Sequence, residues 1–203
     1  MKGSSIAFSQ DDSALAVQAA HSPEAFAELY RRYYSRVFNY ARYRCEDLET
    51  TEDLTAQIFE RLLLKINSYC PERSPFSAWL FAIVSNEVSG HWRSAHRRLW
   101  VSIESLWHWP SREVNPEQAA IQTEAQADLL TAIQKLSERE RDLLGLKFGG
   151  RLTNRQIAEL TGLSESNVGV ILYRAIGRLR DELSGEEEIF MALAAMEHTH
   201  ERA

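Results

Sequence analysis

The chain has 203 residues, is 44% hydrophobic, and sets 23 Lys and Arg against 29 Asp and Glu for a formal net charge of −6. That length supports two small domains with a core each, and no run of eighteen apolar residues or basic-then-apolar leader is present, so a soluble, cytoplasmic protein is expected. Its two cysteines, Cys45 and Cys70, lack the spacing of a metal or redox site and are read mainly as reduced, small hydrophobes, with a redox switch as the lesser alternative.

In chain order, residues 1–21 are polar and unpatterned, a mobile leader with room for a short helix. Ser22-Pro23 then marks a helix start, Ser as cap and Pro in the first turn. Phe26, Leu29, Tyr30, Tyr33, Val37 and Tyr40 follow at helical spacing and are expected in the core. The acidic run Glu46 to Asp53 leads into a second helix whose buried face is Leu54, Ile58, Leu62 and Ile66. Asn67 to Pro75, NSYCPERSP, has loop composition. A third helix is predicted from about Phe76 to Arg98, with Trp79, Leu80, Ile83, Val84 and Val88 inward and HWRSAHRR in its last turns. Residues 22–99 thus form a first helical domain.

Residues 100–115 carry Trp107, Trp109 and Pro110 without periodicity and are assigned as a linker that touches a partner. The second domain spans 116–183. Leu129, Leu130, Ile133 and Leu136 mark one of its helices. Ser137 with Glu140 forms a capping box opening SERERDLLGLKF, which stops at Gly149-Gly150. The stretch Thr153 to Leu183 is the most informative in the chain. Counting from Asn154, Ala158 is fifth, Gly162 ninth and Val168 fifteenth: a small residue where two helices cross, a glycine for a positive-φ turn, and a plug into the core with Ile171 and Leu172. Thr153 with Gln156 caps the first of these helices and Ser164 the second. The pattern is a helix-turn-helix; an ordinary helical hairpin is the alternative, disfavoured because spacing and caps agree. No strand pattern appears, so the fold class is all-α: two small helical domains joined by a linker, the second a helix-turn-helix domain.

Residues 184–203 form an acidic tail. Ile189, Phe190, Leu193 and Met196 make one apolar stripe there, which docks on the first domain or on a regulatory partner, or else is a frayed terminus. Glu197, His198, His200 and Glu201 have metal-capable side chains but no framework and are read as solvated. No cofactor, metal site, small-molecule substrate or catalytic constellation is predicted.

The negative net charge is unevenly placed. Pro23 to Arg98 holds eleven basic residues against ten acidic, and Ile133 to Leu183 nine against seven, whereas Leu99 to Ala132 and Ser184 to Ala203 each hold one against five. Both domains are therefore mildly positive, which suits nucleic acid better than the global charge suggests.

Two blocks in this order resemble the bacterial RNA polymerase sigma factors of the extracytoplasmic-function (ECF) class. AFAELYRRYYSRVFNYARYR, TTEDLTAQIFERLLLKI and SPFSAWLFAIVSNEVSGHWRSAHRR are similar to the family's second conserved region, and LSERERDLLGLKFGGRLTNRQIAELTGLSESNVGVILYRAIGRLR to its fourth. The resemblance implies a non-enzymatic promoter-specificity subunit whose partners are core RNA polymerase, promoter DNA and an anti-sigma factor. It places the polymerase contact at Asp53, Gln57, Phe59 and Leu63. This chain departs from the family pattern three residues after Asp53, where Ala56 stands in place of the usual Gln. Asp53 also complements the helix dipole, and Phe59 is either a contact or a core residue.

The third helix and the loop Ile66 to Ser74 would read the minus-ten element as unstacked single strand, the loop forming a pocket for a flipped base. Single-strand binding needs a ring for stacking beside arginines for phosphates, and these are supplied by Trp92 with His91, Arg93, Arg97 and Arg98, and by Asn86 upstream. A solvated basic helix end is the alternative, with Trp92 in the core. The recognition helix would enter the major groove of the minus-thirty-five element, with Glu165, Ser166, Asn167, Val170, Tyr173 and Arg174 outward and Arg151, Arg155 and Arg178 toward phosphates. Relatives often carry polar residues where Gly169 and Val170 stand, implying more reliance here on methyl contacts and DNA shape. Two other functions stay open at this stage. One is a free-standing helix-turn-helix regulator; the other is a polymerase-binding interaction module that does not read promoters.

Overall fold

The computed structural model describes residues 11–45, 47–98 and 127–183. Its elements are α1 (Asp12–Ala19), α2 (Pro23–Arg44), α3 (Leu48–Lys65) with a single 3-10 turn at Ile66–Ser68, α4 (Phe76–Arg98), α5 (residues 127–134), α6 (Glu138–Leu144), α7 (Asn154–Thr161) and α8 (Glu165–Leu183). No strand occurs among the described residues, so the all-α reading stands.

The helix starts follow the capping chemistry. Ala25 N donates to Ser22 Oγ at 3.2 Å with Pro23 in the first turn of α2, and Thr50 N donates to Asp47 at 2.7 Å to open α3. Ser137 and Glu140 form a reciprocal box on α6, and Thr153 and Gln156 another on α7. Each box satisfies amide groups that the first helical turn leaves without partners.

In the first half, α2, α3 and α4 pack around a core rich in rings, with Tyr33, Tyr40, Phe76 and Phe81 fully buried beside Leu29, Ile58 and Leu80. Two expectations need correction. Tyr30 is exposed on the outer side of α2, where its ring lies 4.5 Å from that of Phe59, because the apolar stripe of α2 is wider than the face its neighbours cover. Residues 11–19 are not a loose leader: α1 buries Leu15, Ala16 and Ala19 against the core. Asp12 anchors it by accepting from the Tyr33 hydroxyl at 2.6 Å and from Arg32 Nη1 at 2.8 Å. The linker 100–115 and the tail 184–203 lie outside the described residues.

The second half is smaller and aliphatic, built on Leu129, Ile133, Leu143, Leu146, Ile157, Val168, Leu172 and Leu179. The segment predicted as one helix up to Gly149-Gly150 instead widens into a π-type turn over Gly145–Gly149, closed by Gly150 N donating to Gly145 O at 2.7 Å. The extra residue in that turn brings Gly145 and Gly149 against α2. A Cβ on Gly149 would stand 2.7 Å from Tyr40 N and 3.0 Å from Tyr40 Cα, so only glycine permits this approach.

The two halves therefore meet, and their buried residues form one contiguous apolar cluster. Polar bonds frame the contact. Arg36 donates to Gly150 O, with Nε at 3.2 Å, while its guanidinium sits 4.6 Å above the Tyr33 ring. The Tyr40 hydroxyl donates to Asp142 at 2.6 Å, and Arg44 Nη1 donates to Glu138 O at 2.6 Å. Burial, then the Asp142 carboxylate, pushes the Tyr40 hydroxyl well above the usual phenol range, and burial lowers Arg36.

Candidate nucleic-acid and polymerase interface

The helix-turn-helix has the geometry its spacing implies. Gly162 adopts φ +73°, the left-handed conformation that ends α7, and its amide donates to Ala158 O at 2.9 Å. Asn167 N donates to Ser164 Oγ at 3.2 Å and so starts α8. Val168, Leu172, Ala175 and Leu179 are then buried along one side of α8. The other side is left to solvent: Glu165, Ser166, Asn167, Val170, Tyr173 and Arg174 are all exposed, Tyr173 at 79% and Val170 at 46%.

The three arginines proposed for phosphates differ in setting. Arg151, exposed, follows the π-type turn with φ +51°. Arg155 is exposed and pairs with Glu159 at 3.2 Å. Arg178 is bound to Glu140, the buried carboxylate that also caps α6, so part of its charge is spent inside the domain. At Gly169 an added Cβ would meet only Asn154 Nδ2 at 3.7 Å, so packing does not require glycine there.

On α4, Asn86 and Arg93 are exposed. His91 is half-buried, its ring edge-on to Trp92 at 6.2 Å. Trp92 is itself half-buried against the core, with its indole N–H buried and lacking a hydrogen-bond partner. The side chains of Arg97 and Arg98 lie outside the described ones. The loop leading into α4 is organised by Tyr69, whose hydroxyl donates to Ser74 O at 3.1 Å and shares a hydrogen bond with Ser13 Oγ of α1 at 3.0 Å. Its ring packs edge-on to Phe76 at 5.4 Å.

On α3, Asp53 and Gln57 are exposed one turn apart, and Leu63 is 54% exposed. Phe59 is closed off as a contact. It is 4% exposed, its ring stacked on Tyr34 and tilted against Tyr30, because α2 crosses α3 at that turn. Leu64, 76% exposed, is an apolar surface residue that the sequence pattern did not single out. The run Leu62-Leu63-Leu64 was the signal that could have found it, since three consecutive leucines cannot all face one core.

Residues 29–98 match the family model "Sigma-70 region 2", and residues 126–179 match "Sigma-70, region 4". The chain belongs to the ECF sigma-factor family. It is 31% identical over 160 residues to the ECF RNA polymerase sigma factor BldN of Streptomyces coelicolor, a match that covers 79% of this chain and 61% of BldN. Among solved structures, it shares its fold with CnrH in complex with the cytosolic domain of CnrY, at a TM-score of 0.62, 24% identity and coverage of 85% of this chain and 97% of that one. It also shares its fold with the sigma factor RpoE in complex with the anti-sigma factor NepR from Bartonella quintana, at a TM-score of 0.61, 21% identity and coverage of 79% and 98%. In this sigma factor, region 2 therefore begins within α2 and region 4 ends within α8. Among the described residues, no helix is long and apolar enough to cross a membrane.

Proposed function

We propose that this sigma factor binds core RNA polymerase through region 2, reads the minus-ten and minus-thirty-five promoter elements, and directs transcription initiation in the cytoplasm without catalysing a reaction itself. The observation that carries the reading is the division of α8 into two sides. One side seals region 4, while the opposite side exposes Glu165, Ser166 and Asn167 at the amino-terminal end, where a groove-entering helix makes base contacts, and Tyr173 and Arg174 about two turns further on. Polymerase would sit on α3 at Asp53, Gln57, Leu63 and Leu64. The melted minus-ten strand would lie along Asn86, His91, Trp92 and Arg93 and the Tyr69 loop, where exposed cations meet a ring edge.

Control by an anti-sigma partner is part of the proposal. Its support is the fold shared with RpoE, solved with the anti-sigma factor NepR, and with CnrH, solved with the cytosolic domain of CnrY. The test is run-off transcription with core polymerase in the presence and absence of this chain. A promoter-dependent product that needs the chain is the expected result, and its absence on every promoter of a genomic library overturns the reading. Arg174→Ala should lower promoter-directed transcription at least several-fold, because one good base contact is worth about 1 to 3 kcal/mol, while polymerase binding in pull-down is unchanged. Lower polymerase affinity in that variant would show that the two regions do not divide the work as proposed.

A further inference from the structure

The loop between the 3-10 turn at Ile66–Ser68 and α4 is tied at both ends by one side chain. Tyr69 enters it with a buried ring, edge-on to Phe76 at 5.4 Å and 5.2 Å from Trp79. Its hydroxyl crosses the loop to donate to Ser74 O at 3.1 Å and shares a second hydrogen bond, at 3.0 Å, with Ser13 Oγ of α1. Between these ends Arg73 N donates to Cys70 O at 3.1 Å, closing a tight turn that leaves Pro71, Glu72 and Arg73 exposed. A phenylalanine would fill the place of the ring equally well. Only the hydroxyl joins the two ends of the loop to each other and to α1.

This loop adjoins the face of α4 assigned above to the melted strand. Trp79, Asn86 and Arg93 recur at intervals of seven residues, close to two turns at about 3.6 residues each, and so share one stripe of the helix. The stripe starts at the ring beside Tyr69 and runs toward the carboxyl end of α4. A strand laid along Arg93 and Asn86 therefore reaches the loop next. An untied loop would have to be ordered as the strand arrives, and the lost chain entropy would be subtracted from binding. A loop already closed avoids that loss.

We infer that Tyr69 is a positioning residue for minus-ten recognition and that Ser13 braces it: the two hydroxyls hold the turn from Cys70 to Arg73 in the shape that receives an unstacked base. The inference rests on the strand-binding role proposed above for this face of region 2. It brings into promoter reading a helix, α1, that precedes the residues 29–98 matched to the family model and lies on none of the surfaces assigned above to DNA or polymerase.

Tyr69→Phe keeps the ring and removes the hydroxyl, while Ser13→Ala removes the brace from the far side; neither adds bulk. Both are made in a Cys45→Ala background, which leaves Cys70 as the one thiol of the full chain. Cys70 belongs to the turn, so its rate of reaction with a maleimide reads the order of the turn without DNA. Each variant should react about three- to tenfold faster than the background chain, the factor that one neutral hydrogen bond is worth. The second measurement uses the holoenzyme formed with core polymerase and a promoter recovered by run-off transcription, prepared as a fork with its minus-ten non-template strand unpaired and an abasic site at each position in turn. Tyr69→Phe should bind the intact fork about three- to tenfold more weakly, with Ser13→Ala changed in the same direction, and the penalty should vanish on the fork that lacks the received base. A general loss of stability would not single out one position. Unchanged Cys70 rates in both variants overturn the brace, and unchanged fork affinity, or a loss of the same size at every abasic position, overturns the positioning role. A wild-type holoenzyme that binds no fork would remove the proposed function together with the positioning role, and the Cys70 rates would still decide whether the two hydroxyls order the turn. Circular dichroism checks the fold of each variant, and should Tyr69→Phe unfold, Ser13→Ala decides.

Discussion

Region 2 and region 4 reach stability by different routes. Region 2 uses long helices, α2 of 22 residues and α3 of 18, around rings that meet edge-on: Tyr33 with Phe76 at 5.1 Å and Tyr40 with Phe81 at 6.0 Å. Region 4 sets two short helices, α6 of 7 residues and α7 of 8, each with a complete capping box, against the 19-residue α8 around leucine and isoleucine. Helices of two turns are unstable alone, so their ends must be satisfied locally, whereas a helix of six turns is held by its packed side and tolerates a simpler start. Aromatic bulk holds region 2 and hydrogen-bonded ends hold region 4.

The largest test of that contrast is Phe76→Ala, which removes a fully buried ring touching Tyr33, Tyr69 and Trp79. It should cost about 3 to 5 kcal/mol, enough to abolish a cooperative melt. Leu143→Ala in region 4 should cost about 2 to 4 kcal/mol. A larger loss in Leu143→Ala by denaturant titration would break the comparison.

A second test uses Cys45, which ends α2 in region 2. Burial pushes its thiol up to about 11 from an ordinary 9.0. The neutral form is therefore favoured in the folded chain, so this contribution is complete below pH 9 and is lost as pH rises toward 11. The loss reaches about 2 kcal/mol, and Cys45→Ala should flatten that alkaline fall relative to wild type. An equally steep fall in the variant would assign the effect to the buried tyrosines. Thiol labelling at pH 8 should modify Cys70, half-buried at the surface, well before Cys45.

Smaller effects separate the two kinds of helix start. Thr153→Ala should cost about 1 to 2 kcal/mol, because the Gln156 amide loses its acceptor and the Gln156 side chain loses the hydroxyl that holds it, leaving only the Thr153 N–H arm of the α7 box, and Ser22→Ala only about 0.5, because Pro23 and the packed length of α2 remain. Equal costs would mean that helix length does not matter. The smallest change has the opposite sign. Gly177 lies within α8, where an added Cβ meets nothing within 4 Å. Gly177→Ala should therefore raise stability by about 0.5 to 1 kcal/mol, read as a higher melting temperature.

What the sequence made legible follows the range of each interaction. Ser22, Ser137, Thr153, Gly162 and Ser164 act within four residues of themselves, and the helix starts and the α7–α8 turn sit where those residues put them. The outward side of α8 was legible for the same reason, since 3.6-residue periodicity sorts Val168 and Leu172 from Tyr173 and Arg174. Phe59 stays open between contact and core in the sequence, and Tyr30 reads there as core although it is exposed, because each lies on a helix with more apolar surface than one neighbour covers, and periodicity does not say which strip the next helix chooses. Arg36 and Gly150 are separated by 114 positions, and no local pattern links them. The glycines that permit their approach read in sequence only as a helix stop.

Helix α1 changes where this protein can be cut. The match to region 2 begins at residue 29, yet Leu15 and Ala16, well before it, are fully enclosed, and Ser13 and Asp12 reach Tyr69, Tyr33 and Arg32. The unit that folds is therefore longer than the unit that is recognised by likeness. A fragment trimmed to residue 29 would expose the apolar floor on which α1 lies and release the hydroxyl of Tyr69 from one of its two partners. Any transplant of this region onto another sigma factor carries the same obligation: the graft begins at residue 11, or the recipient must supply a helix of its own to cover that floor.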